Sequence, residues 1–470
     1  MGSSNLVLPN QNHGKSPAMF QSFLKMTSVP QGRVVRAFLR WAGIVALSLV
    51  ASTGPSQTSS DSDSTYSITQ SATGGELMSQ GNLQTLHADQ RRQMLRNAWL
   101  RRIEPRGEPS VERLQDYVER IRQAVVFDHR LTIFDIRAEV ADEGTTAVRI
   151  SGEVLLSAYE EGVKSTLADL GFPVVESTVT ALPQELGTES AYGLVTTMGG
   201  ATMRREPRAN AEQVHEIPLG GGLRFLRAAR LSDRRGERPG DEESEDVSLW
   251  KLAQSVEGYI GFVRDDDWVG RLAMPMAEGL VLQPTSGTLS GGKKVTIPVG
   301  SLVVRSQQGS GWQVAGVDAP LEEGAVVRAL DGMLTDRGEL ENLLQPLVGI
   351  AYEWGGTTGE GMDCSGLTQY LYRALGFYLP RDAEEQAIVG KIVGWEDEGV
   401  KEARAGDLVF FTNARGRISH VAISLGDQMI AHAHDRRVKI EPLKEVVNRS
   451  GESLVDRVLF VRRLGARPTL

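Results

Sequence analysis

A single cysteine in 470 residues, Cys364, constrains this chain before any other feature. No internal disulfide can form, so each domain must hold together by its own apolar core. The thiol is then either an inert buried side chain or chemistry. Its position favours chemistry. Leu367, Tyr370, Leu371, Ala374 and Leu375 have the i, i+3, i+4, i+7, i+8 spacing of a helix over 364–375, with Gly376 as its stop. Cys364 stands at the start of that helix, where free N–H groups and positive partial charge favour a thiolate. A structural cysteine would sit on the apolar stripe in mid-helix.

A thiol nucleophile needs a base, usually histidine, and a group that orients the base. Of the chain's seven histidines, three fall at 420, 432 and 434. Alternation in 418–425 puts His420, Ala422 and Ser424 on one face, a small-residue face with room for a helix start or a substrate. The next strand carries His432 and His434 together. A two-residue loop at Gly426-Asp427 would put His420 and His432 on opposite faces. A three-residue loop, Gly426 to Gln428, or a bulge with the same effect, pairs Ala422 with His432, and that register is expected. Satisfied core or surface histidines are the plainer reading, and zinc on these histidines and Cys364 is a further one. Neither the cysteine spacing nor a second carboxylate supports it, so no metal and no cofactor are expected.

The rest of the chain reads as a series of units. Arg33, Arg36 and Arg40 precede the apolar run 41–51 and then small residues, the order of a secretory signal, so 1–53 is expected to be a leader. The run is short for a transmembrane span, an uncleaved anchor being the alternative. Met26 offers a start that gives the signal an ordinary length, and no cysteine stands near the cleavage site for lipid attachment. Residues 54–85 are rich in Ser, Thr, Gly and Gln and read as a flexible linker. A small α/β domain is expected over 86–185, with strands at 131–140, 146–156 and 173–180, a helix at 158–170 and no catalytic constellation. Short β-rich runs between Gly and Pro turns then suggest two small barrels, 190–266 and 267–336. The charged stretch 235–246 reads as a solvated loop. Residues 337–466 form a last α+β unit with strands at 407–412, 418–425 and 428–433. A net charge of −9 argues against nucleic acid as a partner.

Within that last unit a set of motifs stands in order. They are Ala351-Tyr-Glu-Trp-Gly-Gly356, Asp363-Cys-Ser-Gly-Leu367, Leu379-Pro-Arg381, Gln386, Gly406-Asp-Leu-Val-Phe-Phe411, Ser419-His-Val421 and Ile430-Ala-His432. The set resembles the NlpC-type papain-like cell-wall cysteine peptidases. The resemblance implies an α+β, papain-like catalytic domain with Cys364 as nucleophile, His420 as base, His432 as the orienting residue and Tyr352 near the oxyanion and substrate. Upstream, Met203 to Glu212 and Trp250 to Phe262 resemble the SH3-like domain of a subgroup in which two such barrels precede the peptidase. That likeness implies that Glu212, Tyr259, Asp363 and Ser365 bind the free amine of an N-terminal L-Ala. A surface carboxylate at 212 and a core aromatic at 259 are the plainer readings. The implied reaction is hydrolysis between γ-D-Glu and the diamino acid of peptidoglycan stem peptides or muropeptides. The implied location is secreted or periplasmic, with no membrane contact beyond the signal. An amidase or acyltransferase on the same fold, or a non-catalytic wall-binding protein, are the alternatives.

Overall fold

Three sheet systems precede the helix that carries Cys364, and that helix is sealed on every side. The computed structural model describes residues 88–465 apart from 185–190, 235–245, 275, 290, 307–310, 316, 318, 331–336 and 448–450. The leader, the linker and nearly all of the charged loop lie outside the described residues. No described helix is long and apolar enough to cross a membrane.

The first unit opens with helices α1 (Ala88–Ile103) and α2 (Leu114–Val125). Leu114, Tyr117, Val118 and Ile121 of α2 bury one helical face, against strands β1 (Phe134–Val140) and β2 (Val148–Val154). Helix α3 (Ser157–Asp169) then crosses over to β3 (Val174–Ala181), which pairs in parallel with β2. Parallel pairing requires such a crossover, and the order agrees with the one read from the sequence.

Seven short strands follow: β4 (Tyr192–Val195), β5 (Ala201–Arg204), β6 (Gln213–Ile217), β7 (Gly222–Ala228), β8 (Trp250–Ser255), β9 (Ile260–Arg264) and β10 (Trp268–Arg271). They form one sheet in the order β10-β4-β7-β8-β9-β5-β6. Strand β10 pairs with β4 from Trp268↔Val195 to Arg271↔Tyr192, so this sheet runs past the boundary expected at 266. The Trp268 ring, packed 4.2 Å from that of Phe225, anchors it there. A second system comprises β11 (Gly279–Val281), β12 (Thr285–Thr288), β13 (Lys294–Ile297), β14 (Leu302–Arg305), β15 (Trp312–Val314) and β16 (Val327–Ala329). Its four-stranded sheet runs β15-β14-β11-β16, beside the β12-β13 hairpin.

The last unit starts with α4 (Arg337–Leu344), whose Leu340, Leu343 and Leu344 are buried, and the short pair β17 (Thr357–Thr358) and β18 (Gly361–Met362). Helix α5 (Cys364–Ala374) comes next, with all of its residues buried. After it come α6 (Ala383–Gln386), β19 (Lys391–Trp395), α7 (Glu396–Lys401), β20 (Leu408–Thr412), β21 (Ile418–Gly426), β22 (Met429–His434), β23 (Arg437–Pro442) and β24 (Val458–Arg463). The sheet order is β19-β24-β20-β21-β22-β23.

One face of α5 is apolar, and Leu367, Tyr370 and Leu371 share a core with Val421, Ile423, Leu425, Ala431 and Ala433. The small-residue face of β21, which left room for a helix start or a substrate, is not the one that α5 covers. Ala422 packs instead with Val400, Ala403 and Ile430. The larger apolar side chains of β21 give α5 more area to bury, which decides the face. The polar side of α5 is buried as well, so it must be bonded. Gln369 donates to Leu379 O at 2.9 Å, Thr368 to Gln386 Oε1 at 2.7 Å and Arg373 to Glu257 of the β8–β9 turn at 2.6 Å.

Candidate active site

The site is assembled where α5 begins. Asp363 caps the helix by accepting from Gly366 N at 2.7 Å. Gly366 allows the first turn to lie directly on the backbone of Gly356, since a Cβ there would stand 2.1 Å from Gly356 O. Cys364 is therefore held in the first turn, 8% exposed.

Burial, then the charge of Asp363, pushes the Cys364 thiol up to about 12, while N–H groups of Val421 and Ser365 and the charge of Arg381 act the other way. The helix start helps the thiolate, as expected, but desolvation outweighs it.

Across the sheet the register settles the histidine question. Ile423 pairs with Ala431 and Ser424 with Ile430, then the register shifts before Gly426↔Met429. The loop itself is the tight turn Asp427-Gln428, both residues at positive φ (52° and 60°). A bulge at Leu425 thus produces the register expected of a three-residue loop. Carried on, it sets Ala422 opposite His432, and His420 Nε2 meets His432 Nδ1 at 3.0 Å. His432 is fully buried, and its Nε2 lies 2.9 Å from Glu441 Oε1 on β23.

This chain fixes the tautomers. The bond to His432 holds the Glu441 carboxyl below its usual range, so it accepts and His432 Nε2–H donates. Burial lowers the pKa of His432 and lowers that of His420 well below the ordinary value, with the neighbouring histidines adding to the second effect. With both rings neutral, His432 Nδ1 must accept from His420 Nε2–H. His420 Nδ1 is then left as a free lone pair, the state a general base needs. Glu441 was missed in the sequence. Its signal is the alternation Arg437-Val-Lys-Ile-Glu441, but using it requires the β22–β23 register, in which Glu441 faces Ile430 and lies diagonal to His432. His434 joins the cluster, its ring stacked 5.0 Å from that of His432. Among the described residues no group of three His, Cys, Asp or Glu side chains is placed to hold a metal ion.

Four other residues were expected at the amine end. Asp363 and Ser365 lie together and are already engaged by Arg381, which is 1% exposed. Arg381 Nη1 donates to Asp363 Oδ1 at 3.0 Å and to Ser365 Oγ at 2.8 Å, and Nη2 donates to Asp363 Oδ2 at 2.5 Å. Gly355 N and Ser365 Oγ donate to the same carboxylate at 2.9 Å and 3.1 Å.

Tyr259 is buried in the core of the seven-stranded sheet, its ring 5.9 Å from that of His215. Burial and then the charge of Asp382 raise its hydroxyl above the usual range, with Arg130, Arg381 and Glu385 also acting on it. It is thus both the core aromatic of the plainer reading and a neighbour of the Arg381 cluster. Glu212 is at the surface, its side chain 43% exposed, paired with Arg205 at 2.7 Å and accepting from Trp354 Nε1 at 3.2 Å. Tyr352 packs against the core that includes Cys364, its N–H bonded to Arg436 O at 2.7 Å.

A thiol at a helix start, with a histidine pair backed by a carboxylate, is the equipment of a cysteine hydrolase. Residues 349–451 match the NlpC/P60 family, and the C-terminal region of the chain is an NlpC/P60 domain. The chain is 37% identical over 112 residues to the gamma-D-glutamyl-L-lysine dipeptidyl-peptidase of Bacillus subtilis, covering 23% of this chain and 36% of that protein. It is 41% identical over 102 residues to the gamma-DL-glutamyl hydrolase of the same organism, covering 21% and 24%. The chain thus spans about a third or less of the length of these relatives. Among solved structures, an NlpC/P60 family protein from Bacillus cereus aligns over 58% of this chain and 99% of that one, at 19% identity and a TM-score of 0.45.

Proposed function

We propose that this chain is a cysteine endopeptidase that hydrolyses the γ-D-glutamyl–diamino acid bond of peptidoglycan stem peptides outside the cytoplasm. The observation that carries the reading is the bonded series His420–His432–Glu441 in a domain that also holds its cysteine at a helix start. Names of relatives that act on γ-glutamyl bonds support the choice of bond.

In the resting site the thiol and the imidazole are both neutral. Cys364 attacks the γ-glutamyl carbonyl as its proton passes to His420 Nδ1. The imidazolium so formed is stabilised through His432 by the Glu441 carboxylate. Backbone N–H groups at the start of α5, with Tyr352 nearby, stabilise the oxyanion. His420 then gives its proton to the leaving amine. It next takes one from water, which attacks the thioester and releases the acid.

A requirement for a free N-terminal L-Ala is the finer part of the proposal. Its support is electrostatic. The Tyr259 hydroxyl feels the charges of Asp382, Arg130, Arg381 and Glu385, and Arg381 in turn holds Asp363. A buried ammonium needs carboxylates and hydrogen-bond acceptors of this kind. Asp363 and Ser365 would then act through the groups that Arg381 already orders, with Tyr259 in the core behind them and Glu212 at the rim. Residues 190–266, as the first SH3-like barrel, would close that end of the cleft.

The test incubates purified protein, and Cys364→Ala, with L-Ala-γ-D-Glu-diaminopimelate, its N-acetylated form and intact sacculi. Cleavage of the free peptide alone supports both parts. Cleavage of no substrate removes the peptidase reading. Equal cleavage of the acetylated peptide removes the free-amine requirement.

A further inference from the structure

The first unit, which showed no catalytic pattern in the sequence, sends one side chain into the polar network behind Cys364. Arg130 follows α2 in the loop before β1. Its carbonyl accepts from Ile260 N at 2.8 Å, and Leu131 packs on the core that contains Tyr259. The guanidinium crosses to the last unit. Nη1 meets Asp382 Oδ2 at 2.6 Å, Nε lies 3.3 Å from Glu385 Oε1 and Nη2 lies 3.4 Å from Glu384 Oε2. Within its own loop Arg130 is held by Asp128 at 2.5 Å.

Asp382 and Glu385 close the capping box of α6, and Asp382 directly follows Arg381. The last residue of α6, Gln386, donates to Ser365 O at 3.1 Å. Two guanidiniums, Arg130 and Arg381, therefore share a set of carboxylates that includes Asp363 and Asp382, and both aspartates act on Arg381. An unneutralised Asp382 would draw Arg381 away from Asp363.

We propose that Arg130 is a positioning residue of the catalytic site, which neutralises Asp382 and so leaves Arg381 to Asp363 and Ser365 beside the nucleophile. The first unit is then a working part of the peptidase. The inference rests on Cys364 being the nucleophile proposed above, but not on the identity of the peptide it cleaves.

The mechanism gives a signature that loss of packing alone would not. Asp363 opposes ionisation of Cys364 and Arg381 favours it. If Arg381 turns toward Asp382, the thiolate becomes harder to form. The experiment measures iodoacetamide alkylation of Cys364 against pH, together with kcat and KM on the free peptide, in the full chain. Arg130→Ala should move the alkylation profile to higher pH and lower kcat about tenfold or more. Arg130→Lys should recover part of both, by charge without the fork. Asp382→Asn in the Arg130→Ala background keeps a good helix cap while removing the competing charge, and should restore the profile. Arg149→Ala, which removes an exposed pair with Glu176 in the same unit, should change neither.

A wild-type alkylation profile in a folded Arg130→Ala protein overturns the proposal. If that variant does not fold, Arg130→Lys and Arg130→Lys/Asp382→Asn carry the comparison, and identical profiles in those two overturn it. If the wild type cleaves none of the peptides, the function proposed above fails while the alkylation series still decides this one.

Discussion

Among the described residues two buried histidines, His432 and His215, each face a glutamate, and the two pairs are wired differently. His432 and His215 are both 0% exposed. His432 has both ring nitrogens bonded, to His420 at 3.0 Å and Glu441 at 2.9 Å. His215 lies 3.6 Å from Glu257 Oε2, and neither of its ring nitrogens has a hydrogen-bond partner. The difference is in what else the glutamate serves. Glu257 is fully buried and drawn to Arg373 at 2.6 Å, so it acts as a counter-ion joining a turn of the seven-stranded sheet to α5. Glu441 is partly open to solvent and serves the imidazole. A His–Glu pair orients a base only when the carboxylate has no nearer cation to satisfy.

The comparison breaks most visibly if the wired side is cut. Cys364→Ala should abolish turnover, and His420→Ala should lower kcat/KM by about a thousandfold or more in a peptide-cleavage assay. If His420→Ala keeps near-normal turnover, His420 is not the base.

The next largest effect is on Cys364 itself. With its thiol pushed up to about 12, alkylation should rise about tenfold per pH unit, hence about a hundredfold from pH 7 to pH 9. A rate that is flat across that range would mean a preformed thiolate–imidazolium pair. Because His420 titrates well below 6.5, the acid limb of kcat/KM should also lie below that value. Glu441→Gln should then cost about 10- to 100-fold in kcat with little change in KM, since the imidazolium loses its counter-charge. An unchanged kcat would reduce Glu441 to a surface carboxylate.

The unwired side should give the smallest change in activity. His215→Leu should leave kcat/KM within about threefold of wild type. Its effect should appear in stability. Burial lowers the pKa of His215, so the unfolded chain binds the proton first as pH falls. The contribution is present above pH 6.5 and is lost below it, at up to about 1.4 kcal/mol per pH unit for one such group. Urea midpoints at pH 7.5 and 5.5 should therefore differ less in His215→Leu than in wild type. An equal or larger difference would mean that His215 is already charged in the folded protein.

Much of the site was legible because it rests on local rules. Cys364 stands where an apolar helical stripe begins, and alternation in 418–425 and 429–434 places the histidines on their strands. The family motifs name Cys364, His420 and His432 in order. The first unit's strand–strand–helix–strand order was equally local, since each element carries its own periodicity.

Tertiary structure decided what depends on contacts between distant segments. The bulge at Leu425 sets the histidine register, and the competition among apolar faces for α5 chose Val421 and Ile423 over Ala422. Glu441 joined the site through a strand pairing, Arg381 by being buried against Asp363, and Arg130 across 252 positions of sequence to Asp382. Charge pairing has no period along a chain. A helix or strand announces itself by spacing, whereas which arginine meets which carboxylate is known only once the fold has brought them together.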